Sequence, residues 1–445
     1  MDSVLKAIHE MDSSQMELYK KNVMLGGGTL GGPTLKRGKG VRVWDVDGKD
    51  YIDCTSQSWA LYLGYANDEI NQVIKEHIDY MTHIHQGFDN KPRFYLANKL
   101  AQLAPAGMNR VSFTTGGGNA IEAAMKISFK NVQPSRDFVC LQDSYHGTTL
   151  GSMGASWIST KSSGKYIGGS RFLPLTRNFT RIPNPDTYRN PFNVDSETYT
   201  DMCLTMARET FQKGISGKPA GVIVEPIQAS GGQLILPKRY LQELRKLCDE
   251  FETLLIFDEI QTFGRIGEMF AANYFGVTPD IIVLGKGLGA GLPLAGIIIS
   301  DKLEGFSTDA EELHTFANPT LSMVTAAKQL ALLESGVLEN CRKMGKYLGD
   351  NLKKMMKEFP EIGDVRQAGL HIGVEFVKDP VSKEPLTEKT VEIKNAGMNN
   401  GIIFGLAGPR KNILKVKPPL IVKQDECDEI LEKFKKSVNQ VLRKK

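Results

Sequence analysis

Lys286 is the residue whose surroundings point most directly to chemistry. It lies in the glycine-rich segment Gly285–Gly291, directly after the apolar run Ile281–Leu284. Glycines let a ligand approach the amine closely, and burial lowers the pKa of a lysine. The segment is not a nucleotide-binding P-loop, because Gly287 stands where that motif has serine or threonine. Taken alone, the pattern favours an exposed turn lysine, so its neighbours decide the interpretation.

Three other features match what an amine bound to a carbonyl cofactor needs, and pyridoxal phosphate is the common cofactor of this kind. Asp258 closes the apolar run Leu254–Phe257 and can hold a protonated ring nitrogen. Gly116–Gly118 open a helical stretch, whose free N–H groups suit a phosphate. Tyr145 follows the run Phe138–Leu141 and can stack on a ring. Residues after parallel strands meet in one crevice.

Each feature also has a simpler explanation on its own. Asp258 and Glu259 fit helix caps or exposed turn acids, and His146 fits a structural histidine. The glycine turn contains no GxGxxG pattern because position 121 is Ile, which weakens a dinucleotide-binding interpretation. The order of the features along the chain therefore carries more weight than any one of them.

That order resembles the class III (ornithine/4-aminobutyrate type) pyridoxal-phosphate-dependent aminotransferases of fold type I. The resemblance covers nearly the whole chain, from Val43–Gly48 to Pro418–Leu420. It implies a large α/β domain with a mostly parallel sheet wrapped by helices, and a smaller α+β domain built from both chain ends. The most specific segments are Glu225-Pro226-Ile227-Gln228, Gly231-Gly232, Asp258-Glu259-Ile260-Gln261-Thr262, Pro279-Asp280 and Gly285-Lys286-Gly287.

The resemblance assigns roles position by position. It implies that Lys286 forms the Schiff base with pyridoxal phosphate and later moves the proton. Asp258 is then the partner of the ring nitrogen, and Gln261 lies near the phenolic oxygen of the ring. The family sequence QTGFGRTG is one residue short here, as Gln261–Gly267.

The phosphate-binding part departs from the family pattern. The resemblance implies that Gly117 and Gly118 cradle the phosphate, that Tyr145 stacks on the ring and that Thr315 reaches a phosphate from the neighbouring subunit. This chain reads Gly116–Ile121 where the family usually has SGTEAN, so backbone donors must replace missing side chains. The Thr315 loop also looks one residue short. A homodimer is expected, with a tetramer as the alternative.

Candidate substrate residues are Trp59, Glu225, Arg410 and Lys415. Many family members grip the α-carboxylate with an arginine in a segment like LRxxPPL, and Lys415 stands in its place here. A lysine offers a point charge without the two-pronged geometry of arginine. Arg410, in a Gly-Pro-Arg loop, is an alternative carboxylate ligand or an exposed loop residue.

The function expected first is transfer of an amino group from an amino acid or amine to a keto acid. Related branches racemise amino acids or lactams, or decarboxylate dialkylglycines, and Tyr145–Met153 and Pro183–Arg189 resemble the racemase branch. Asp53–Ser56 and Asp364–Arg366 resemble the decarboxylase. The missing arginine favours a racemase somewhat, whereas aminotransferases are more numerous. A non-catalytic binding protein is a third alternative, against which the intact Lys286 argues.

Composition agrees with a globular enzyme of amino acid metabolism. The chain has 445 residues, 41% hydrophobic and 24% charged, with a net charge of +4. The basic residues are scattered, so no nucleic-acid partner is expected. The apolar stretch Leu292–Ile299 is too short for a membrane helix, and the N-terminus lacks a signal-peptide core, so we expect a cytoplasmic protein without a membrane partner. The six cysteines contain no CxxC pair. His83 and His85 lack further ligands at suitable spacing, so no metal site is expected.

Short apolar runs alternate with helical patterns between about residues 100 and 300, which predicts a mostly parallel sheet wrapped by helices. We expect domain parts at residues 1–60, 61–325 and 326–445, the first and last forming the smaller domain. The stretch Arg177–Thr200 is predicted to be a loop near the active-site face. The predicted strands lie at Val111–Phe113, Phe138–Leu141, Val222–Val224, Leu254–Phe257, Ile281–Leu284 and Ala295–Ile299.

Overall fold

The computed structural model describes residues 2–24, 32–156 and 178–443. Two seven-stranded sheets dominate it, and a two-stranded ribbon accompanies them. The strands are β1 Leu35–Lys39, β2 Arg42–Asp45, β3 Asp50–Cys54, β4 Met108–Thr114, β5 Phe138–Leu141, β6 Phe179–Ile182, β7 Gly221–Val224, β8 Ile227–Gln228, β9 Leu234–Ile235, β10 Leu254–Asp258, β11 Ile281–Leu284, β12 Ala295–Ser300, β13 Ile362–Ala368, β14 His371–Phe376, β15 Ile402–Ala407 and β16 Ile413–Val416.

The first large sheet has the order β4-β12-β11-β10-β7-β5-β6. Neighbours from β11 to β6 pair in parallel, and β12 runs antiparallel to both of its neighbours. Strands β5, β7, β10 and β11 are buried along their whole length, as their near-continuous apolar sequences require. The predicted mostly parallel sheet is confirmed.

Helices cover the sheets through apolar faces. The helix Lys238–Glu250 buries Tyr240, Leu241, Leu244 and Leu247, a spacing that puts them on one side. Every helix within the described ranges is too short or too polar to cross a bilayer. The α-helices of four or more regular residues are Ser3–His9, Ser13–Lys20, Asp68–His77, Lys91–Leu103, Gly117–Asn131, Leu150–Ala155, Ser196–Lys213, Lys238–Glu250, Ala271–Phe275, Thr320–Leu332, Leu338–Met355, Thr387–Asn399 and Gln424–Leu442.

The second large sheet joins the two ends of the chain in the order β1-β2-β3-β15-β16-β14-β13. Strands β3 and β15 form the junction and pair in parallel. The prediction that both ends build one α+β unit is therefore confirmed. The domain limits at residues 60 and 325 stay predictions.

The prediction of a loop over Arg177–Thr200 is wrong for part of that stretch, and Arg177 itself lies outside the described residues. Phe179–Ile182 form β6, because Phe179 stacks on Phe138 of β5 with ring centroids 5.9 Å apart. A helix then begins at Ser196, where Asp195 accepts hydrogen bonds from two N–H groups of the first turn. A four-residue edge strand carries too little apolar pattern to be recognised among polar neighbours.

Candidate active site

The carboxyl ends of the parallel strands bring the predicted site residues to one edge of the sheet. Glu225 follows β7, Asp258 ends β10, and Lys286 follows β11 after Gly285. These three side chains and Tyr145 line one cavity of about 300 Å³, which we call the site cavity. Parallel strands that end side by side explain how Glu225 and Lys286, which are 61 positions apart, meet.

Lys286 opens a short 3₁₀ turn, Lys286–Gly289, and has a positive φ of 45°. A non-glycine residue in this left-handed region is strained by about 1–3 kcal/mol, which is common at functional positions. Burial lowers the pKa of the Lys286 amine, while the nearby carboxylates of Asp258 and Glu225 oppose that shift. The net direction favours the uncharged, nucleophilic amine.

Asp258 is held from two sides. Its Oδ2 lies 2.8 Å from Nδ1 of His146, and its Oδ1 accepts a hydrogen bond from the N–H of Ile260 at 3.1 Å. Both side chains of the pair are buried. An ionised carboxylate only accepts hydrogen bonds, so the proton of the pair belongs on His146 Nδ1. His146 is thus part of the site, beyond the structural role that its sequence favoured.

Glu225 and Glu259 are both buried acids with different surroundings. Burial raises the pKa of Glu225 to about 7; His146 opposes the shift and Asp258 reinforces it. The N–H of Tyr145 donates to Glu225 Oε1 at 2.9 Å, which fixes the carboxyl group against the site cavity. Glu259 instead accepts from the first N–H groups of the helix Ala271–Phe275. Only Glu225 lies in position for site chemistry.

The helix Gly117–Asn131 begins at the site cavity. Among the described residues no side chain caps its first N–H groups, since its N-cap is Gly116. A Cβ at Gly117 would lie 2.8 Å from Ile260 Cδ1, so a larger residue there would have to displace the end of that side chain. Free N–H groups at the positive end of a helix dipole form a site for a phosphate dianion.

Two lysines lie close to the site cavity without lining it. Lys415 is on β16 and Lys417 follows it, so the two side chains share one face. Their Nζ atoms lie 4.0 Å and 5.0 Å from the ring centroid of Trp59, and Lys417 Nζ donates to Gln261 Oε1 at 3.3 Å. Burial lowers the pKa of Lys415 to about 7, and the Lys286 amine contributes to this shift. Neither lysine has an acidic ion-pair partner within the described part of the chain.

Trp59 and Lys415 lie beside the site cavity without lining it, whereas Thr315 and Arg410 lie apart from it. Thr315 is exposed on the loop that precedes the helix Thr320–Leu332, and its contact with a second subunit stays a prediction. Arg410 is also exposed, and its carbonyl oxygen accepts a hydrogen bond from Thr387 Oγ1 at 2.7 Å. A single chain therefore does not bring these two residues to Lys286.

Sequence reasoning missed Lys417 and the contact of His146 with Asp258. The i, i+2 spacing of Lys415 and Lys417 on a strand was a usable signal, because it places both amines on one face. No local signal marks His146, since its partner is 112 residues away in the chain.

The residues of the site cavity fit pyridoxal phosphate. Gly117 and Gly118 would hold the phosphate, Asp258 the ring nitrogen and Lys286 the carbonyl carbon, while Tyr145 and Gln261 line the space between them. Fold and site cavity together define a fold type I pyridoxal-phosphate enzyme. The family described as Aminotransferase class-III matches residues 31–438, and this chain belongs to that family.

Relatives with several activities match about nine-tenths of the chain. It is 30% identical over 416 residues to an alanine/serine racemase of Pyrococcus horikoshii, covering 92% of this chain and 86% of the racemase. It is 32% identical over 428 residues to an adenosylmethionine-8-amino-7-oxononanoate aminotransferase of Geobacter sulfurreducens, covering 92% of each.

A solved structure gives the same result. A taurine:2-oxoglutarate aminotransferase from Bifidobacterium kashiwanohense, in complex with pyridoxal phosphate and glutamate, superposes with a TM-score of 0.89 at 27% identity, covering 97% of this chain and 98% of that one. The predicted family, fold type and cofactor are confirmed. The roles of individual residues stay predictions.

Proposed function

We propose that this protein is an aminotransferase that moves an amino group from an amino acid or amine to a keto acid, with Lys286 as the amine that bonds to the cofactor. The observation that carries the proposal is the strained, partly buried Lys286 between Asp258 and Glu225 in the site cavity. When bound, pyridoxal phosphate supplies an electrophilic carbonyl and a ring that accepts electrons from the substrate.

The residues of the chain then have separate tasks. Lys286 Nζ, once an amino substrate displaces it, would take the proton from the substrate α-carbon and deliver it to the former carbonyl carbon of the cofactor. This task suits an amine of lowered pKa. Asp258 stabilises a protonated ring nitrogen, and His146 keeps the carboxylate in one orientation. Tyr145 lines the cavity, where its ring can stack on the ring of the cofactor.

We assign the acid group of the substrate to a cluster beside the site cavity, formed by Lys415, Lys417 and Trp59. Two buried amines without a carboxylate partner are costly unless a ligand supplies the negative charge. The indole face of Trp59 provides an apolar surface beside them. This arrangement supports amino donors and keto acids that carry an acid group, with Arg410 as a second ligand only if its loop moves.

The second subunit of the proposed homodimer would cover an apolar face of this chain. Phe316 is 61% exposed and contacts His83 with ring centroids 5.1 Å apart. Thr320 Oγ1 donates to the carbonyl oxygen of Met81, so the segments around residues 80–95 and 313–320 form one surface. Its exposed apolar side chains, typical of interfaces, are Tyr80, Met81, Phe88, Phe94, Tyr95, Leu313 and Phe316.

Thr315 lies in that surface and is proposed to contact the phosphate of the neighbouring subunit. The tetramer remains the alternative assembly. The absence of nucleic-acid and membrane partners and a cytoplasmic location stay predictions from the sequence.

Racemisation is the second candidate, and one observation favours it. Lys415 is a second buried amine whose pKa is lowered to about 7 under the influence of Lys286. A racemase needs groups that move protons on both faces of the α-carbon, whereas an aminotransferase needs one. Lys415 in the place of the family's arginine gives this chain a candidate for the second group.

Incubation with single enantiomers of amino acids, with and without pyruvate or 2-oxoglutarate, tests the proposal. Amine transfer that requires the keto acid is expected. Loss of optical purity without a keto acid would establish the racemase, and release of carbon dioxide would establish a decarboxylase. Protein that gains no yellow colour on addition of pyridoxal phosphate would contradict all three.

A further inference from the structure

The phosphate-binding turn has an unusual neighbour at Gly118. A Cβ built on Gly118 would lie 2.9 Å from Thr149 Cγ2 and 3.0 Å from Thr149 Oγ1. The side chain of Thr149 therefore fills the space into which a residue at position 118 would project. Both residues line the site cavity.

Thr149 is brought there by a close backbone contact. Gly147 has a φ of 119°, and a Cβ on it would lie 3.0 Å from the Cα of Gly118 and 2.6 Å from Ser152 Oγ. Only glycine allows segment 147–149 to pack directly on the turn at Gly118. The packing holds the Thr149 side chain at the first turn of the helix Gly117–Asn131.

The Thr149 hydroxyl is not used to cap the helix that follows it. Thr149 is the N-cap of Leu150–Ala155, yet its side chain makes no capping hydrogen bond within the described structure. Its Oγ1 lies 2.8 Å from Ser152 Oγ, and either atom can donate. Ser152 Oγ also lies within hydrogen-bond distance, 3.3 Å, of the Thr149 carbonyl oxygen. When Ser152 donates to the nearer Thr149 Oγ1, the Thr149 proton is free for a ligand oxygen.

We propose that Thr149 supplies the hydroxyl group of the phosphate cradle, in place of a side chain at position 118. The inference rests on the proposed function, because it needs pyridoxal phosphate in the site cavity. The ligand group it recognises is the phosphate monoester, alongside the N–H groups of Gly117 and Gly118. At the same cavity, the buried Nε2 of His146 has no hydrogen-bond partner among the described residues.

Comparing pyridoxal phosphate with pyridoxal separates a phosphate contact from a packing role. Dissociation constants of both compounds are measured by absorbance titration for wild type, Thr149→Val and Thr149→Ser. We expect Thr149→Val to weaken pyridoxal phosphate binding about tenfold, the effect of one hydrogen bond to a charged group, and to leave pyridoxal binding unchanged. Thr149→Ser should keep the wild-type preference. Thr210→Val is the matched control, since that hydroxyl bonds within its own helix at 2.7 Å.

A reciprocal pair of variants tests the shared space. Gly118→Ser should weaken pyridoxal phosphate binding in wild type because of the contact with Thr149, whereas Gly118→Ser combined with Thr149→Ala should bind better than Thr149→Ala alone. The added serine then supplies the lost hydroxyl without a clash. Circular dichroism checks that each variant is folded.

Equal losses for pyridoxal phosphate and pyridoxal, or no loss in Thr149→Val, would overturn the inference. If the wild type binds pyridoxal phosphate and Thr149→Val keeps the full preference for pyridoxal phosphate over pyridoxal, this inference alone is overturned. Wild-type protein that does not bind pyridoxal phosphate would overturn the proposed function and this inference together.

Discussion

His146 Nδ1 lies 2.8 Å from Asp258 Oδ2, and both side chains are buried. The two residues are 112 positions apart in the chain. His146 follows β5 and Asp258 ends β10 of the same sheet. The contact turns the carboxylate of Asp258 toward the site cavity while the Ile260 N–H binds its other oxygen. The orientation of the group proposed to hold the ring nitrogen is therefore set by a residue that need not touch substrate.

His146→Phe should lower kcat by about 10- to 100-fold, the worth of a hydrogen bond to a charged group, with little change in KM. His146→Asn is the matched variant, because its amide can still donate to Asp258, and it should retain most activity. The pH titration of the visible absorbance of the cofactor should also shift in His146→Phe. Unchanged turnover and an unchanged titration in His146→Phe would contradict the positioning role.

Lys286→Ala should lower turnover by at least about 10²–10⁴-fold, because the amine is proposed both to bond to the cofactor and to move the proton. Mass spectrometry after borohydride treatment should show the cofactor attached to wild type and absent from the variant. Lys75→Ala, which removes an exposed lysine, is the control and should behave as wild type. Near-normal activity of Lys286→Ala would refute the assignment.

The main parts of the site were predictable because they follow parallel strands. Asp258 directly follows a short apolar run, Lys286 follows another after one glycine, and the ends of adjacent parallel strands meet. Lys417 and Thr149 were not predictable in this way, since their importance depends on contacts across the fold with Trp59 and Gly118. Strand β6 was missed because only two of its four residues are apolar. What makes it a strand is its pairing with β5, which the local sequence does not show.

Lys415→Met should raise KM about tenfold or more for substrates with an acid group and leave neutral amines nearly unaffected, because the lost ammonium is proposed to face the acid. Lys417→Met should have a smaller effect of the same kind, because Lys417 Nζ already donates one hydrogen bond to Gln261. Arg410→Ala is compared in the same assay. A selective KM increase in Arg410→Ala, together with wild-type behaviour of Lys415→Met, would assign the acid group to the loop arginine.

Phe316→Asp should shift the sedimentation profile from dimer to monomer and abolish activity at low protein concentration. Burying a phenylalanine contributes about 1.5–3 kcal/mol, and two copies of the residue are lost in a symmetric dimer. Val381→Asp is the control, since Val381 is 92% exposed and lies outside the apolar face. A Phe316→Asp protein that stays dimeric would move the interface elsewhere.

Lys415 should also make the stability of the protein depend on pH. Its pKa is about 7 in the folded chain and 10.5 when exposed, so between these values the unfolded chain binds one more proton. Stability must therefore rise with pH across this range, and the full cost of the buried charge is present below about pH 7.

Lys415→Met should remove that dependence and raise the melting temperature of cofactor-free protein at pH 7, because apolar replacements of buried charges are often stabilising. Between pH 7 and pH 9 the wild type should gain up to about 2 kcal/mol relative to the variant. Groups that do not interact with Lys415 titrate in both proteins and cancel in the difference, whereas the interactions of Lys415 with Lys286, Lys417 and Glu225 are part of the measured dependence. Thermal unfolding of both proteins across this range, with Lys75→Met as the exposed control, measures the effect; parallel profiles of wild type and Lys415→Met would show that Lys415 keeps its proton in the folded chain.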